Sequence, residues 1–177
     1  MEPRKRVTHF NLPSHAHSLT FSCNNRHPYF KSDRTCRWLI EAIDKARSDW
    51  NFRLWAYVIM PEHVHIIVWP NEKIYDISDF LKSIKQSVSR NARYFLEKEN
   101  PLALEKMILK RGNRATFKFW QTGPGYDLNL YADEKLMEKI EYIHNNPVRR
   151  SLVKSTTDWK WSSACWYAGF RNVPIIN

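Results

Sequence analysis

Two runs of β-branched and aromatic residues, Phe52–Met60 and His63–Trp69, are separated only by Pro61 and Glu62. Strand formers this close together can pair only as antiparallel neighbours, because a parallel partner would need a crossover of about a dozen residues or more. The chain is therefore committed to an antiparallel sheet, and the amphipathic stretches on either side of the hairpin must cover it. From Asp33 to Trp50, Leu39, Ile43 and Ala46 recur at helical spacing, with Ser32 or Asp33 as the N-cap. A longer stripe of Ile77, Leu81, Ile84, Val88, Ala92 and Phe95 advances in steps of three and four from Ile77 to about Glu97, with Lys82, Gln86, Ser89, Arg90 and Arg93 on its other side. Ser18–Cys23 alternates as a strand. Phe117–Trp120 and Asp127–Tyr131 flank the turn signal Gly123-Pro124-Gly125, where a last strand is expected. A final helix runs from Asp133 to Asn145 and stops at Pro147, while residues 100–114 fit no clear element. The order strand, helix, strand, strand, helix, strand, helix predicts an α+β fold. Its expected form is ferredoxin-like or RRM-like, a split βαβ with a central antiparallel sheet and helices on one face.

The length of 177 residues suits one catalytic or binding domain, expected over residues 14–177 after a basic N-terminal arm, residues 1–13. A hydrophobic content of 43% excludes a wholly disordered chain. No apolar run approaches the ~20 residues that span a bilayer, so no membrane partner is expected. Thr8, His9, Asn11 and Ser14 follow the basic start where a secretory signal would be apolar. Cys23, Cys36 and Cys165 are odd in number and share no ligand spacing, which suits reduced thiols and a cytoplasmic location. Lys and Arg outnumber Asp and Glu by 28 to 18, for a formal charge of +10. An excess of this size is the footprint of nucleic-acid binding, although a basic surface can also serve solubility alone.

Chemistry concentrates at two places. In a strand, His63 and His65 project to the same face at roughly 6.5–7 Å, a spacing that serves one divalent cation if a third ligand comes from elsewhere. The same pair also fits two histidines on an open sheet face. Glu62, of opposite parity, is not an obvious ligand, and His15-Ala16-His17 repeats the pattern where a structural role is expected. On the last helix, Leu136, Met137, Ile140 and Ile143 form the apolar stripe. Tyr142 lies off that stripe beside Lys135, Glu138, Lys139 and Asn146. Four residues apart, Tyr142 and Asn146 are neighbours on one helical face, unless Pro147 swings the amide away. Tyr94, at the border of its own stripe, is the next candidate nucleophile.

The string from Trp55 through Met60-Pro61-Glu62-His63-Val64-His65, followed by Tyr142-Ile143-His144-Asn145-Asn146-Pro147-Val148 and the closing Trp159-Lys160-Trp161-Ser162-Ser163, resembles the REP-associated tyrosine transposases, single-tyrosine members of the HUH superfamily. The resemblance implies metal-dependent nicking and strand transfer on hairpin-bearing single-stranded DNA through a 5′-phosphotyrosine intermediate. It makes His63 and His65 metal ligands and Tyr142 the nucleophile. Asn146 stands where relatives carry an amide residue, often Gln, as third ligand. The implied ion is magnesium or manganese, and the implied assembly a monomer or homodimer. For the DNA, the candidate phosphate contacts are Arg4, Lys5, Arg6, Lys82, Lys85, Arg90, Arg93, Lys110, Arg111, Arg114, Arg149 and Arg150. Trp69, Trp120 and Trp166 are candidates for stacking on bases, and Lys135 or Lys139 for stabilising the phenolate or phosphate. Two other classes are open: a catalytically idle DNA- or RNA-binding module, and a metal-dependent nuclease that uses water and leaves no protein–DNA adduct.

Overall fold

The computed structural model describes residues 9–123, 125–170 and 173–175. Arg4, Lys5 and Arg6 lie outside the described residues. In chain order the elements are β1 (Ala16–Ser22), α1 (Asp33–Asp49), β2 (Phe52–Ile59), β3 (His63–Pro70), α2 (Ile77–Glu99), α3 (Pro101–Lys106), β4 (Ile108–Arg111), β5 (Arg114–Phe117), β6 (Tyr126–Leu130), α4 (Asp133–His144) and α5 (Asn146–Arg149). Four strands form one sheet in the order β2-β3-β1-β6, every neighbouring pair antiparallel. With β3 inserted between β1 and β2, this is the expected split βαβ arrangement. The unassigned stretch after Asn100 folds as α3 and a separate two-stranded ribbon, β4–β5.

Alternation sorts the side chains of the sheet onto two faces. Leu19, Phe21, Val64, Ile66 and Val68 join Leu39, Ile43, Ile84 and Val88 in the core beneath α1 and α2. A register shift between Leu54 and Ala56 lets β2 contribute Leu54, Tyr57 and Ile59 to that core and Ala56 and Val58 to the other. The second face is covered by α4, whose Ile140 and Ile143 pack on Ala16, Ala56, Val58 and Ile67. The sequence expectation of helices on one face therefore holds for α1 and α2 and is corrected for α4. The strands are apolar on both parities, so a second cover is required to keep Ile67 and Val58 from water. His63 and His65 share the parity of Ile67 and so belong to the face under α4.

The outer edge of β2 is closed by the C-terminal segment. Ile59 N–H donates to the Trp161 carbonyl, Ser163 N–H donates to the Tyr57 carbonyl, and the Trp159 indole donates to the Ile59 carbonyl. An edge that would otherwise present unpaired amides is thereby occupied. At the opposite end of the sheet, His17 is fully buried between Asp127, 2.9 Å away, and the Tyr75 hydroxyl, 2.8 Å away. His15 packs against the Tyr131 ring.

Gly125 enters β6 at φ +92°, and a Cβ there would meet the Thr20 carbonyl oxygen at 2.3 Å. Only glycine allows both the backbone angle and the approach to β1. Gly125→Ala is expected to cost about 2–4 kcal/mol, the upper range for a single substitution. A thermal melt indistinguishable from the parent would show that the loop simply moves aside.

Candidate active site

The two histidines of β3 converge. Their rings are nearly perpendicular, with centroids 4.7 Å apart, and the Nε2 atoms face each other at 3.0 Å. Each outer nitrogen has its own partner: Glu62 Oε1 lies 3.0 Å from His63 Nδ1, and Thr20 Oγ1 lies 2.8 Å from His65 Nδ1. Thr20 stands opposite His65 in the β1–β3 register, so the sheet itself delivers the hydroxyl. The tautomer that gives Glu62 and Thr20 a ring N–H each leaves two Nε2 lone pairs aimed at one another. That arrangement is repulsive unless a proton or a cation lies between them. Donors about 2.1 Å from one octahedral ion and at right angles around it lie about 3 Å apart, so the pair fits a divalent cation, and the Glu62–His63 contact is the outer-shell support such ligands use.

Glu62 is where parity misleads. It belongs to the Pro61–Glu62 turn rather than to β3, so strand alternation does not send it to the far face. Its buried carboxylate accepts from His63 and from Arg150, with Arg26 Nη1 3.9 Å away. Burial pushes this carboxyl up, but the hydrogen bond from Arg150 and the His63 contacts outweigh it and hold Glu62 below the ordinary carboxylate value. Burial also pulls His65 down to about 3, with the facing His63 and the charge on Lys139 adding to the effect. His63 is lowered as well, again first by burial, against the opposing pull of Glu62. Both imidazoles are neutral near pH 7 and available as ligands.

Tyr142, on α4, is 45% exposed, as its position off the apolar stripe predicts. Two cations flank its ring: Lys139 Nζ is 4.7 Å from the centroid and Arg149 Cζ is 5.0 Å from it. Lys139 also lies 5.6 Å from the Tyr126 ring, whereas Lys135 is taken up by Glu138. The next residue after Arg149, Arg150, reaches Glu62. Consecutive side chains thus connect the tyrosine to the carboxylate that holds His63.

α4 ends at His144, one residue short of the expected Asn145, but Pro147 does not stop helical structure. It occupies the first turn of α5, where its missing N–H costs nothing. The Ile143 carbonyl, which a residue other than proline at 147 would bond, is instead taken by the Asn146 side chain. Asn146 Nδ2 donates to the carbonyls of Tyr142 and Ile143 at 3.0 and 3.1 Å, which leaves Oδ1 as the amide's acceptor atom. Among the described residues no cluster of three His, Cys, Asp or Glu side chains forms a metal site.

The profile of the family described as "Transposase IS200 like" matches residues 11–146, a span that contains both histidines and ends on Asn146. The chain belongs to the IS200-like transposase family. A protein of Haemophilus influenzae that bears the name REP-associated tyrosine transposase is 28% identical over 143 residues, covering 74% of this chain and 73% of the relative. A REP-associated tyrosine transposase of Escherichia coli is 26% identical over 125 residues, covering 71% of this chain but only 62% of the relative. The fold agrees with a solved structure of a REP-associated tyrosine transposase bound to a REP hairpin. The TM-score is 0.72 at 20% identity, over 98% of this chain and 92% of that one.

The remaining candidates of this IS200-like chain fall into separate places. Tyr94 is 61% exposed on α2, beneath the opposite face of the sheet from the histidines, with Lys98 over its ring. Arg149 and Arg150 stand at the site. Lys82, Lys85, Arg90 and Arg93 lie along α2, and Lys110, Arg111 and Arg114 on the β4–β5 ribbon. Of the tryptophans, Trp120 is only 8% exposed, its indole donating to the Lys85 carbonyl, and it is corrected from an exposed stacking residue to a core one. Trp69 stacks on Trp55 with centroids 4.9 Å apart, and Trp166 is half-buried.

Proposed function

We propose that this transposase nicks and rejoins single-stranded DNA at hairpin-forming, REP-like sequences, with Tyr142 as nucleophile and magnesium or manganese held by His63, His65 and Asn146 Oδ1. The observation that carries the reading is the imidazole pair at 3.0 Å, on the face covered by the helix that bears Tyr142. When bound, the divalent ion supplies Lewis-acid polarisation of a non-bridging oxygen of the scissile phosphate. The phenolic oxygen of Tyr142 attacks phosphorus, the bond to the 3′-oxygen breaks, and a 5′-phosphotyrosine and a free 3′-hydroxyl result; the phenol's proton ends on the departing 3′-oxygen or in solvent. Lys139 and Arg149, already at the ring, face the negative charge that develops on the phenolate and the phosphate. A 3′-hydroxyl can attack the phosphotyrosine in reverse, so strands are rejoined without a nucleotide cofactor. No helix among the described residues is long and apolar enough to cross a membrane.

The test is a labelled, hairpin-bearing single strand incubated with the protein and magnesium or manganese. The expected product is a protein–DNA species that survives denaturation and is lost when EDTA is present. Cleavage with no adduct would favour the water-using nuclease, and binding with neither cleavage nor adduct would favour the idle module. An adduct unaffected by EDTA would remove the metal from the reading.

A further inference from the structure

Beneath the opposite face of the sheet, a groove of about 760 Å³ runs between α2 and the β4–β5 ribbon. Its rim carries Lys82, Lys85, Arg90 and Arg93, one side of α2, and its floor includes Leu81, Phe117 and Trp120. Among the described residues no carboxylate lines it; His9 at its edge is held by Asp127, and the rim pairs Lys82–Asp79 and Arg93–Glu97 are exposed and contribute little. At Thr116 the groove continues into a smaller, 250 Å³ hollow lined by Arg111, Arg114 and Lys118.

The ribbon is the unusual part. Between Glu105 and Asp127 the chain has no acidic residue, and Arg111 and Arg114 are direct cross-strand partners. Like charges set opposite each other weaken a two-stranded pair that is already marginal alone. Packing gives no reason for them, since both side chains are exposed; an anion shared between them does. Burial likewise pulls the Lys85 ammonium down to about 8 beside the Gly123 carbonyl, a cost that a neighbouring phosphate would offset.

We infer that this groove is a second nucleic-acid site, separate from the His63–Tyr142 face, which takes an unpaired strand of DNA. The phosphates lie along the cationic rim and ribbon, and the bases cover the apolar floor. A duplex keeps its bases stacked inside and cannot cover that floor. The chain's own N-terminal segment, with Arg4, Lys5 and Arg6, would bring like charge to the rim. The inference rests on the reading that the protein handles single-stranded DNA, but not on the chemistry at Tyr142.

Oligothymidylate of about 16 nucleotides forms no hairpin, so its binding is measured without nicking, and failure of either proposal leaves the other standing. Fluorescence anisotropy with the full chain is expected to show preference for this strand over a duplex of equal length. Arg90→Glu combined with Arg114→Glu should weaken it at least ~10-fold near 0.1 M salt and flatten the salt dependence. Lys31→Glu, an exposed charge away from the groove, should change it less than about twofold. Should the double variant fail to fold, photo-crosslinking of 5-iodouracil strands to the unmodified protein replaces it, with the adduct expected on the peptide carrying Phe117. Unchanged affinity in a folded double variant, preference for the duplex, or crosslinks confined to β3 and α4 would overturn the proposal.

Discussion

Tyr142→Phe is expected to abolish the covalent protein–DNA species, by at least ~10³-fold, while hairpin binding persists, because the substitution deletes the attacking oxygen and nothing else. The ring stays, and with it the surface on which Lys139 and Arg149 rest. At 45% exposure the side chain contributes little to the core, so the variant should fold like the parent. The measurement is a denaturing gel of labelled hairpin strand with each protein, alongside a native binding titration. An adduct that survives in the variant would move the nucleophile elsewhere, with Tyr94 next in line. That outcome would be hard to reconcile with α2, which holds Tyr94 on the other side of the sheet from the histidines.

His63→Ala combined with His65→Ala removes both imidazole donors and is expected to eliminate cleavage without unfolding the sheet. The two side chains face α4 rather than the larger core, and burial already keeps both neutral near pH 7. Glu62→Gln is the graded form of the same experiment. It keeps the volume but loses the charge that His63 Nδ1–H and Arg150 share. Loss of an outer-shell partner of this kind typically costs 10–100-fold in metal affinity. Manganese titration by calorimetry should show that loss in Glu62→Gln and no measurable binding in the double alanine variant. Full cleavage by the double variant would exclude the metal assignment, and unchanged manganese affinity in Glu62→Gln would show that the carboxylate serves only to hold Arg150.

Much of the site was legible because its signals are local. The wheel that sets Tyr142 off the apolar stripe of Leu136, Met137, Ile140 and Ile143 needs only the period of a helix, although Met137 at its border is exposed, and the matching parity of His63 and His65 needs only that of a strand. Glu62 escapes such local signals, because it lies one residue before β3, in a turn where strand parity has no meaning. Its partner Arg150 is 88 residues away, and no periodicity reports such a pairing. What the sequence does not report is the conformation at Asn146: Pro147 opens α5, and the amide nitrogen bonds back onto α4. Trp120, a stacking candidate by sequence, belongs to the core, because a lone tryptophan carries no sign of which side of a sheet it will meet.

Antiparallel pairing across Pro61–Glu62, the amphipathic faces of α1, α2 and α4, and the basic character were determined by the sequence itself. Each follows from neighbours within a few residues or from a sum over the chain. Only the tertiary structure decided that α4 would cover the face opposite α1 and α2, that Arg150 would reach Glu62, and that α2 would share a cationic groove with the ribbon. Those outcomes depend on which apolar surfaces remain uncovered after the sheet has formed, and burying one is a property of the whole packed chain rather than of any segment.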